Sequence, residues 1–210
     1  MMMRLEMIQM LQYAIIALLS YLPTVGIAGW FEAWVAKKCG DDVPEQLGFL
    51  TVNPLIHFDL IGFACMLFFK GVPGWGRYVP MNPTQTRGWR VELQFYARPL
   101  CHFFMALASL VGMVIMLKSG YLMAPGAVGA FAKLITFFYT QNALLSVMYF
   151  AIGTFRTIVH SYFPEFYPFF SEHIIWGMLI LFGAMVLFGE AFRIIVSTML
   201  WYPVQYFMTV

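Results

Sequence analysis

The chain has 210 residues, of which 61% are hydrophobic, 19% aromatic and only 10% charged. An ordinary soluble chain is roughly 45–50% apolar and about 25% charged, so a soluble globular enzyme, a nucleic-acid-binding protein and a disordered linker are excluded. The net charge of +2 is spread along the chain, without a basic patch that would meet phosphates or anionic headgroups.

Runs of residues without a charge predict where the chain crosses a membrane. About 20 apolar residues suffice to cross a hydrocarbon layer of ~30 Å, and residues 7–31 form the first such run. In chain order, the predicted spans cover residues 7–36, 57–70, 99–117, 133–155 and 173–192. The second is short and is typical of a helix packed among others, and the apolar residues 194–210 allow a further short or re-entrant segment.

The connections between these runs are rich in proline and glycine, notably at residues 71–76, 80–83 and 124–126, which predicts irregular, hairpin-like segments. The predicted fold class is therefore an all-α polytopic membrane protein with about five or six transmembrane helices. It forms a single integral membrane domain over residues 1–210. With five spans, seven basic residues fall on the N-terminal side of the membrane and five on the other, which favours an N-terminus inside.

Two acidic residues lie where a membrane span begins or ends. Glu32 stands near the end of the first span with Trp30 and Trp34 around it, which favours a carboxylate at the interface beside aromatic-belt side chains. Asp59 stands at the start of the second predicted helix, where a carboxylate accepting backbone N–H groups is favoured over a metal ligand.

Polar side chains also fall inside the later spans. His102 follows Arg98 by four residues, so the two share a helix face, and a hydrogen-bonded histidine is predicted. Gln141 and Asn142 lie within the fourth span, where amide side chains bond across helices. The sequence contains no H-E-x-x-H or G-x-S-x-G motif, so no catalytic constellation is visible from spacing alone.

A family resemblance is carried by three segments. Residues 33–41 read AWVAKKCGD, residues 50–62 read LTVNPLIHFDLIG and residues 74–83 read GWGRYVPMNP. They resemble the compact branch of the site-2 protease family, intramembrane zinc metallopeptidases whose pattern reads H-E-x-x-H-A-x-x-A-x-x-x-G-D, L-T-L-N-P-x-x-H-x-D-P-x-G and G-W-x-x-P-V-P-x-N-P. Fainter matches follow at residues 97–102, similar to A-G-P-x-x-N, and from residue 142, where the family has N-x-x-x-x-x-F-N-L-L-P-x-x-P-L-D-G. The resemblance implies a site-2-protease-like core.

The metal-binding positions of that family are the ones that differ here. In the family, two histidines one helical turn apart and the aspartate of L-D-G hold zinc, and the glutamate between the histidines is the general base. These positions fall on Ala28, Gly29 and Glu32, and the aspartate position falls on Arg156 or Thr157. Because an arginine repels a dication, the resemblance implies that zinc is absent, that there is no other cofactor and that peptidase chemistry is lost.

The segments that match the family line the substrate approach in its active members. The resemblance therefore implies a catalytically inactive scaffold or accessory subunit that contacts lipid and binds transmembrane helices of a larger hetero-oligomeric membrane complex. We expect it in a bacterial inner membrane or an organelle membrane of bacterial descent, without nucleic-acid partners. The candidate groove residues are Asn53, Pro54, His57, Asp59, Trp75, Arg77, Pro80, Asn82, Pro83, His102 and Asn142.

One alternative keeps the chain an enzyme. An active intramembrane metallopeptidase with a rewired metal site would use Glu32, His57, Asp59 and His102 around a divalent ion, and requires these groups to converge within ~2.0–2.3 Å of it. A transporter or channel is disfavoured, because the spans show no inverted repeat and few ionisable residues that align along a pathway.

Overall fold

The computed structural model describes residues 2–69, 72–121 and 125–187, together with residues 194 and 198. Over these residues the chain is helical, with irregular connections and no β-strand. Three helices are long and apolar enough to cross a membrane, over Glu6–Cys39, Trp89–Lys118 and Gly126–Tyr162. The described chain is thus an all-α protein with the character of an integral membrane protein.

Helix α1, Met2–Cys39, is the first of these spans. It ends where Gly40 takes a positive φ of 101°, a conformation that glycine adopts without steric cost. Lys37 and Lys38 lie in its last turn, where positive charge complements the helix dipole. Its predicted bounds of 7–36 are close to those observed.

The chain then forms a long irregular segment with two short helices, α2, Val43–Gln46, and α3, Leu60–Phe68. Asp59 caps α3, because its Oδ1 accepts the backbone N–H of Gly62 at 2.7 Å, as its position in the sequence predicts. Residues 72–82 have no regular structure. A single 3₁₀ turn, Pro83–Gln85, precedes the next helix.

The segment 57–70 is too short to be a membrane span, whereas the prediction of a short helix packed among others is confirmed. Its helical part is the nine-residue α3, and nine residues rise only about 13 Å, less than half of the ~30 Å hydrocarbon layer. The uncharged run there is apolar because it packs among the other helices: Met66 is fully buried between Tyr21 and neighbouring side chains.

Helices α4, Trp89–Lys118, and α5, Gly126–Tyr162, contain the predicted spans 99–117 and 133–155 and extend beyond both. The predictions stopped at Arg98 and before Arg156 because a charge was taken to mark the membrane boundary. Both arginines lie inside the helices and are buried by their neighbours, so their charge does not end the span.

The chain continues through a 3₁₀ turn, Pro164–Phe166, and the short α6, Tyr167–Glu172, into α7, Ile174–Leu187. Helix α7 covers the first part of the predicted span 173–192. The remainder of that span and the predicted segment 194–210 lie outside the described residues, apart from residues 194 and 198. Five or six spans are therefore not what the described chain shows.

Helices α1, α4 and α5 pack against each other, with α4 antiparallel to the other two. Side chains facing outward on α4 are exposed and apolar, as at Leu100, Phe103, Leu107 and Val111, which suits contact with membrane lipid. The irregular segment 72–82 lies against the three helices and buries Trp75 and Val79.

Without a crossing at 57–70, several basic residues are assigned to a different side of the membrane from the one predicted. Lys37, Lys38, Arg77, Arg87 and Arg90 lie at the end of the bundle where α1 terminates, and Arg4, Lys118 and Lys133 lie toward the opposite end. The count that favoured an N-terminus inside depended on a crossing at 57–70. With the three crossings found among the described residues, the described basic residues concentrate on the other side, and the count no longer supports that orientation.

Candidate functional site

A buried charge cluster joins the three long helices. Glu32 of α1 is 2% exposed, and its Oε2 lies 2.5 Å from Nε of Arg98 on α4. Its Oε1 lies 4.0 Å from Nη1 of Arg156 on α5. The Glu32 carboxylate is therefore not exposed beside Trp30 and Trp34 as predicted: it is buried and faces the other helices, because both of its partners stand there.

The sequence of α1 places Glu32 on the buried face of the helix. Buried residues recur at helical spacing at Tyr21, Val25, Ala28, Glu32 and Ala36, which is the period of one helix stripe. Since two of these are alanines, the neighbouring helices can approach α1 closely and the arginine side chains can reach its carboxylate.

Arg98 is held by the irregular segment as well as by Glu32. Its Nη2 donates to the backbone carbonyl of Arg77 at 2.9 Å, and its Nη1 donates to the hydroxyl of Tyr149 at 3.0 Å and more weakly to the carbonyl of Gly76. The guanidinium thus satisfies carbonyl groups of a segment that has no ladder or helix partners of its own, which is a requirement for irregular backbone at membrane depth.

Arg156 is held mainly by aromatic residues. Its Nη2 donates to the hydroxyls of Tyr78 and Tyr167, each at 3.1 Å, and its guanidinium lies 4.4 Å from the ring centroid of Phe95. Thr157, the other residue at the aspartate position of the family pattern, bonds its hydroxyl to the carbonyl of Gly153 in its own helix. Of these two residues, Arg156 is the one that faces Glu32.

His57 packs directly on α1 at Gly29. A Cβ built at Gly29 would overlap the imidazole ring, so glycine is required there in this arrangement. The ring Nε2 lies 2.8 Å from the carbonyl of Thr51. Loss of hydration by burial lowers the pKa of His57, and the nearby positive charges of Arg98 and Arg77 act in the same direction while the Thr51 bond opposes them.

His102 belongs to a second polar group, deeper along the helices. Its Nδ1 lies 2.9 Å from Oδ1 of Asn142, whose Nδ2 donates to the hydroxyl of Thr24 at 3.1 Å. Beside it, the hydroxyl of Ser20 donates to Oε1 of Gln141 at 3.1 Å. The predictions of a hydrogen-bonded histidine and of amides that bond across helices are confirmed.

The remaining candidate residues divide into two groups. Trp75 and Arg77 lie beside the charge cluster, because the carbonyl of Arg77 accepts from Arg98. The hydroxyl of Tyr21 donates to the carbonyl of Trp75 at 2.8 Å, and the N–H of Arg77 donates to the carbonyl of His57 at 2.8 Å. The others lie in connecting turns. Asn53 is exposed, and its side-chain oxygen accepts the N–H of Leu55. Pro54 and Pro80 are half-buried. The N–H of Asn82 donates to Asp41, and Asn82 caps the 3₁₀ turn that begins at Pro83.

The four residues of the alternative metal site have different partners. Glu32 contacts Arg98, His57 contacts Thr51, Asp59 caps α3, and His102 contacts Asn142. Across the part of the chain that the structure describes, no three His, Cys, Asp or Glu residues come close enough to hold one metal ion.

Sequence reasoning missed the role of Arg98 and of the three tyrosines around the two arginines. Arg98 was noticed only as a neighbour of His102. The one available signal was that Glu32, Arg98 and Arg156 are charges flanked by long apolar runs, since such charges are expected to pair with one another.

Comparison with known proteins gives one partial relative. The chain is 41% identical over 51 residues to the "Putative zinc metalloprotease YwhC" of Bacillus subtilis (strain 168). The aligned part is 24% of this chain and 22% of that protein, so the chain covers about a fifth of the relative's length. No protein-family profile matches the chain, and no solved structure matches it. The similarity supports a site-2-protease-like relationship for that part of the chain.

Proposed function

We propose that this protein is a catalytically inactive, site-2-protease-like membrane protein that serves as a scaffold or accessory subunit. It binds transmembrane helices of a larger membrane complex, in a bacterial inner membrane or an organelle membrane of bacterial descent. The framework of helices and irregular segment positions the partner, and the chain itself performs no hydrolysis.

The observation that carries this proposal is the pairing of Glu32 with Arg98 and Arg156. By the resemblance, Glu32 occupies a zinc-histidine position, and Arg156 is one of the two residues, with Thr157, at the position of the zinc-binding aspartate. Glu32 and Arg156 come within 4.0 Å of each other. Positions that would meet at a metal thus meet at an ion pair.

The residues at these positions do not fit a zinc ion. Catalytic zinc takes three protein ligands and a water, whereas here Ala28 has no ligand atom, the Glu32 carboxylate contacts Arg98, and Arg156 carries a positive charge. The guanidinium of an arginine can stabilise the fold by pairing with a carboxylate, as a metal ion can. It has no open coordination position to lower the pKa of a water molecule, so it does not generate hydroxide at neutral pH.

The irregular segment supports a binding role. The segment from Pro73 to Gly76 is buried against the helices. The carbonyls of Gly74, Trp75 and Gly76 accept from Gln141, Tyr21 and Arg98, respectively. A backbone segment fixed in this way is preorganised, which lowers the entropic cost of binding a partner.

Native mass spectrometry of the protein, extracted from its own membrane in a mild detergent, tests the proposal. We expect a hetero-oligomeric mass and no bound zinc. A 24.1 kDa chain, alone or as a homo-oligomer, with one metal ion per chain would contradict it.

A matched pair of variants locates the partner. Arg77 and Arg87 both have exposed side chains, but only Arg77 lies in the segment that borders the charge cluster. We expect Arg77→Glu to release the partner and Arg87→Glu to retain it. Equal retention by both variants would remove the segment around Arg77 from the binding surface.

A further inference from the structure

An apolar groove runs between the last turns of α5, α6 and the first half of α7. Its volume is about 590 Å³. Its walls include Phe155, Phe170, Ile174, Trp176 and Ile180, and the side chains of Phe155, Trp176 and Ile180 are exposed at its rim. An exposed apolar rim of this kind suits contact with the lipid that surrounds a membrane protein.

One residue in the groove wall carries a permanent charge, and that residue is Arg156. The charge cluster behind it contains two guanidiniums and a single carboxylate. Arg98 approaches Glu32 to 2.5 Å, whereas Arg156 remains at 4.0 Å, outside hydrogen-bond distance. Among the described residues no other carboxylate forms an ion pair with Arg156. The cluster therefore holds one positive charge in excess, and an anion in the groove would neutralise it.

The length of α5 places Arg156 within reach of lipid headgroups. Thirty-seven residues rise about 55 Å, well beyond the ~30 Å of hydrocarbon, so the end turns of α5 extend into the headgroup layers. Arg156 lies between Gly153 and Tyr162, in the last turns of the helix.

The volume of the groove favours an acyl chain over a helix. Pockets for small ligands measure ~300–1,000 Å³, and about 590 Å³ falls in that range. A transmembrane helix, about 10–12 Å across and ~30 Å long, has several times this volume.

We propose that this groove binds an anionic membrane phospholipid, with one acyl chain between α5 and α7 and the phosphate against Arg156. The site is independent of the proposed scaffold function, because it requires no partner protein. It makes the protein selective for anionic over zwitterionic lipid at a defined position on its surface.

Native mass spectrometry with defined lipids tests the site. The purified protein is equilibrated in detergent with equal amounts of dioleoyl phosphatidylglycerol and dioleoyl phosphatidylcholine, and the lipids that remain bound are identified by mass. We expect the wild type to retain about tenfold more phosphatidylglycerol than phosphatidylcholine. A factor of about ten in affinity corresponds to the contribution of one hydrogen bond to a charged group.

Two glycine variants provide the matched control. A Cβ at Gly177, in the groove wall, or at Gly112, on the lipid side of α4, meets no atom within 4 Å, so both accept a larger residue. We expect Gly177→Phe to lose the preference for phosphatidylglycerol and Gly112→Phe to keep it. Equal retention in both variants, or no lipid preference in the wild type, would overturn the proposal. A bound polypeptide that is lost in Gly177→Phe would assign the groove to a partner helix and overturn it as well.

A second measurement needs no change at the charge cluster or at Gly177. Phosphatidylglycerol with brominated acyl chains should quench the fluorescence of Trp176 more than brominated phosphatidylcholine does at the same mole fraction. The contribution of Trp176 is the part of the signal that Trp176→Phe removes. Equal quenching by the two lipids would contradict the proposal.

Discussion

Removing the charge of Glu32 should destabilise this protein far more than removing an exposed carboxylate. In Glu32→Gln, Arg98 and Arg156 lose the one carboxylate that pairs with both of them in the part of the chain that the structure describes, and their side chains are just 5% and 8% exposed. The two buried arginines would then lack the carboxylate that compensates their charge.

The magnitude follows from the geometry. At 4.0 Å, opposite charges attract by about 4 kcal/mol at an effective dielectric constant of ~20, and Arg98 lies closer still. Breaking one side of a buried ion pair destabilises proteins by ~3–5 kcal/mol. We therefore expect Glu32→Gln to lower the free energy of unfolding by about 3–5 kcal/mol.

A matched control is Glu45→Gln. Glu45 pairs with Lys37, and their side chains are 41% and 40% exposed, so the same change should cost no more than ~1 kcal/mol. The double variant Glu32→Gln with Arg98→Met should recover part of the loss, since it removes one of the two uncompensated charges.

The assay is reversible unfolding in mixed micelles at increasing mole fractions of sodium dodecyl sulfate, followed by the fluorescence of the six tryptophans. If Glu32→Gln unfolded at the same detergent fraction as Glu45→Gln, the buried cluster would not be what joins the three helices. The same conclusion would follow if the loss of unfolding free energy in the double variant equalled the sum of the losses in the two single variants.

Three further predictions concern the elements around the cluster. Asp59→Ala should lose the cap on Gly62 and lower stability by ~1 kcal/mol, whereas Asp59→Ser should keep most of it; equal melting temperatures for the two would contradict the capping role. Gly29→Ala should push the ring of His57 aside and cost ~1–3 kcal/mol, unlike Gly112→Ala, which meets open space; comparable unfolding curves would show that the contact with His57 is not tight. Because burial lowers the pKa of His57 from its ordinary 6.5, the neutral ring is favoured in the folded state. Stability should therefore be full above pH 6.5, fall as the pH drops below it and level off under the folded-state pKa, and a profile unaffected by His57→Gln would refute this.

The sequence predicted the parts of the fold that depend on local patterns. Charge-free runs located all three long helices, and the position of Asp59 before an apolar run located the start of α3. Gln141 and Asn142 were expected to bond across helices because an amide at membrane depth needs a partner. Each of these follows from a few neighbouring residues.

The sequence failed where distant residues neutralise one another. A lone charge was taken as a membrane boundary at Arg98 and Arg156 and as an interfacial side chain at Glu32, although these charges lower one another's cost of burial. The partners stand on different helices, and nothing in the local pattern of α1 indicates which residue of α4 will face it. The resemblance aligned Glu32 and Arg156 with positions that meet in the family, but it did not indicate Arg98 as the third member.

The zinc content of the purified protein tests the proposal of an inactive site most directly. The protein is equilibrated with zinc, washed with a weak chelator and measured by inductively coupled plasma mass spectrometry beside Glu32→Gln. We expect no zinc in the wild type above the level in the variant, because the Glu32 carboxylate is held by Arg98 and faces Arg156. One zinc ion per wild-type chain, lost in Glu32→Gln, would show that this carboxylate binds metal and would contradict the proposal.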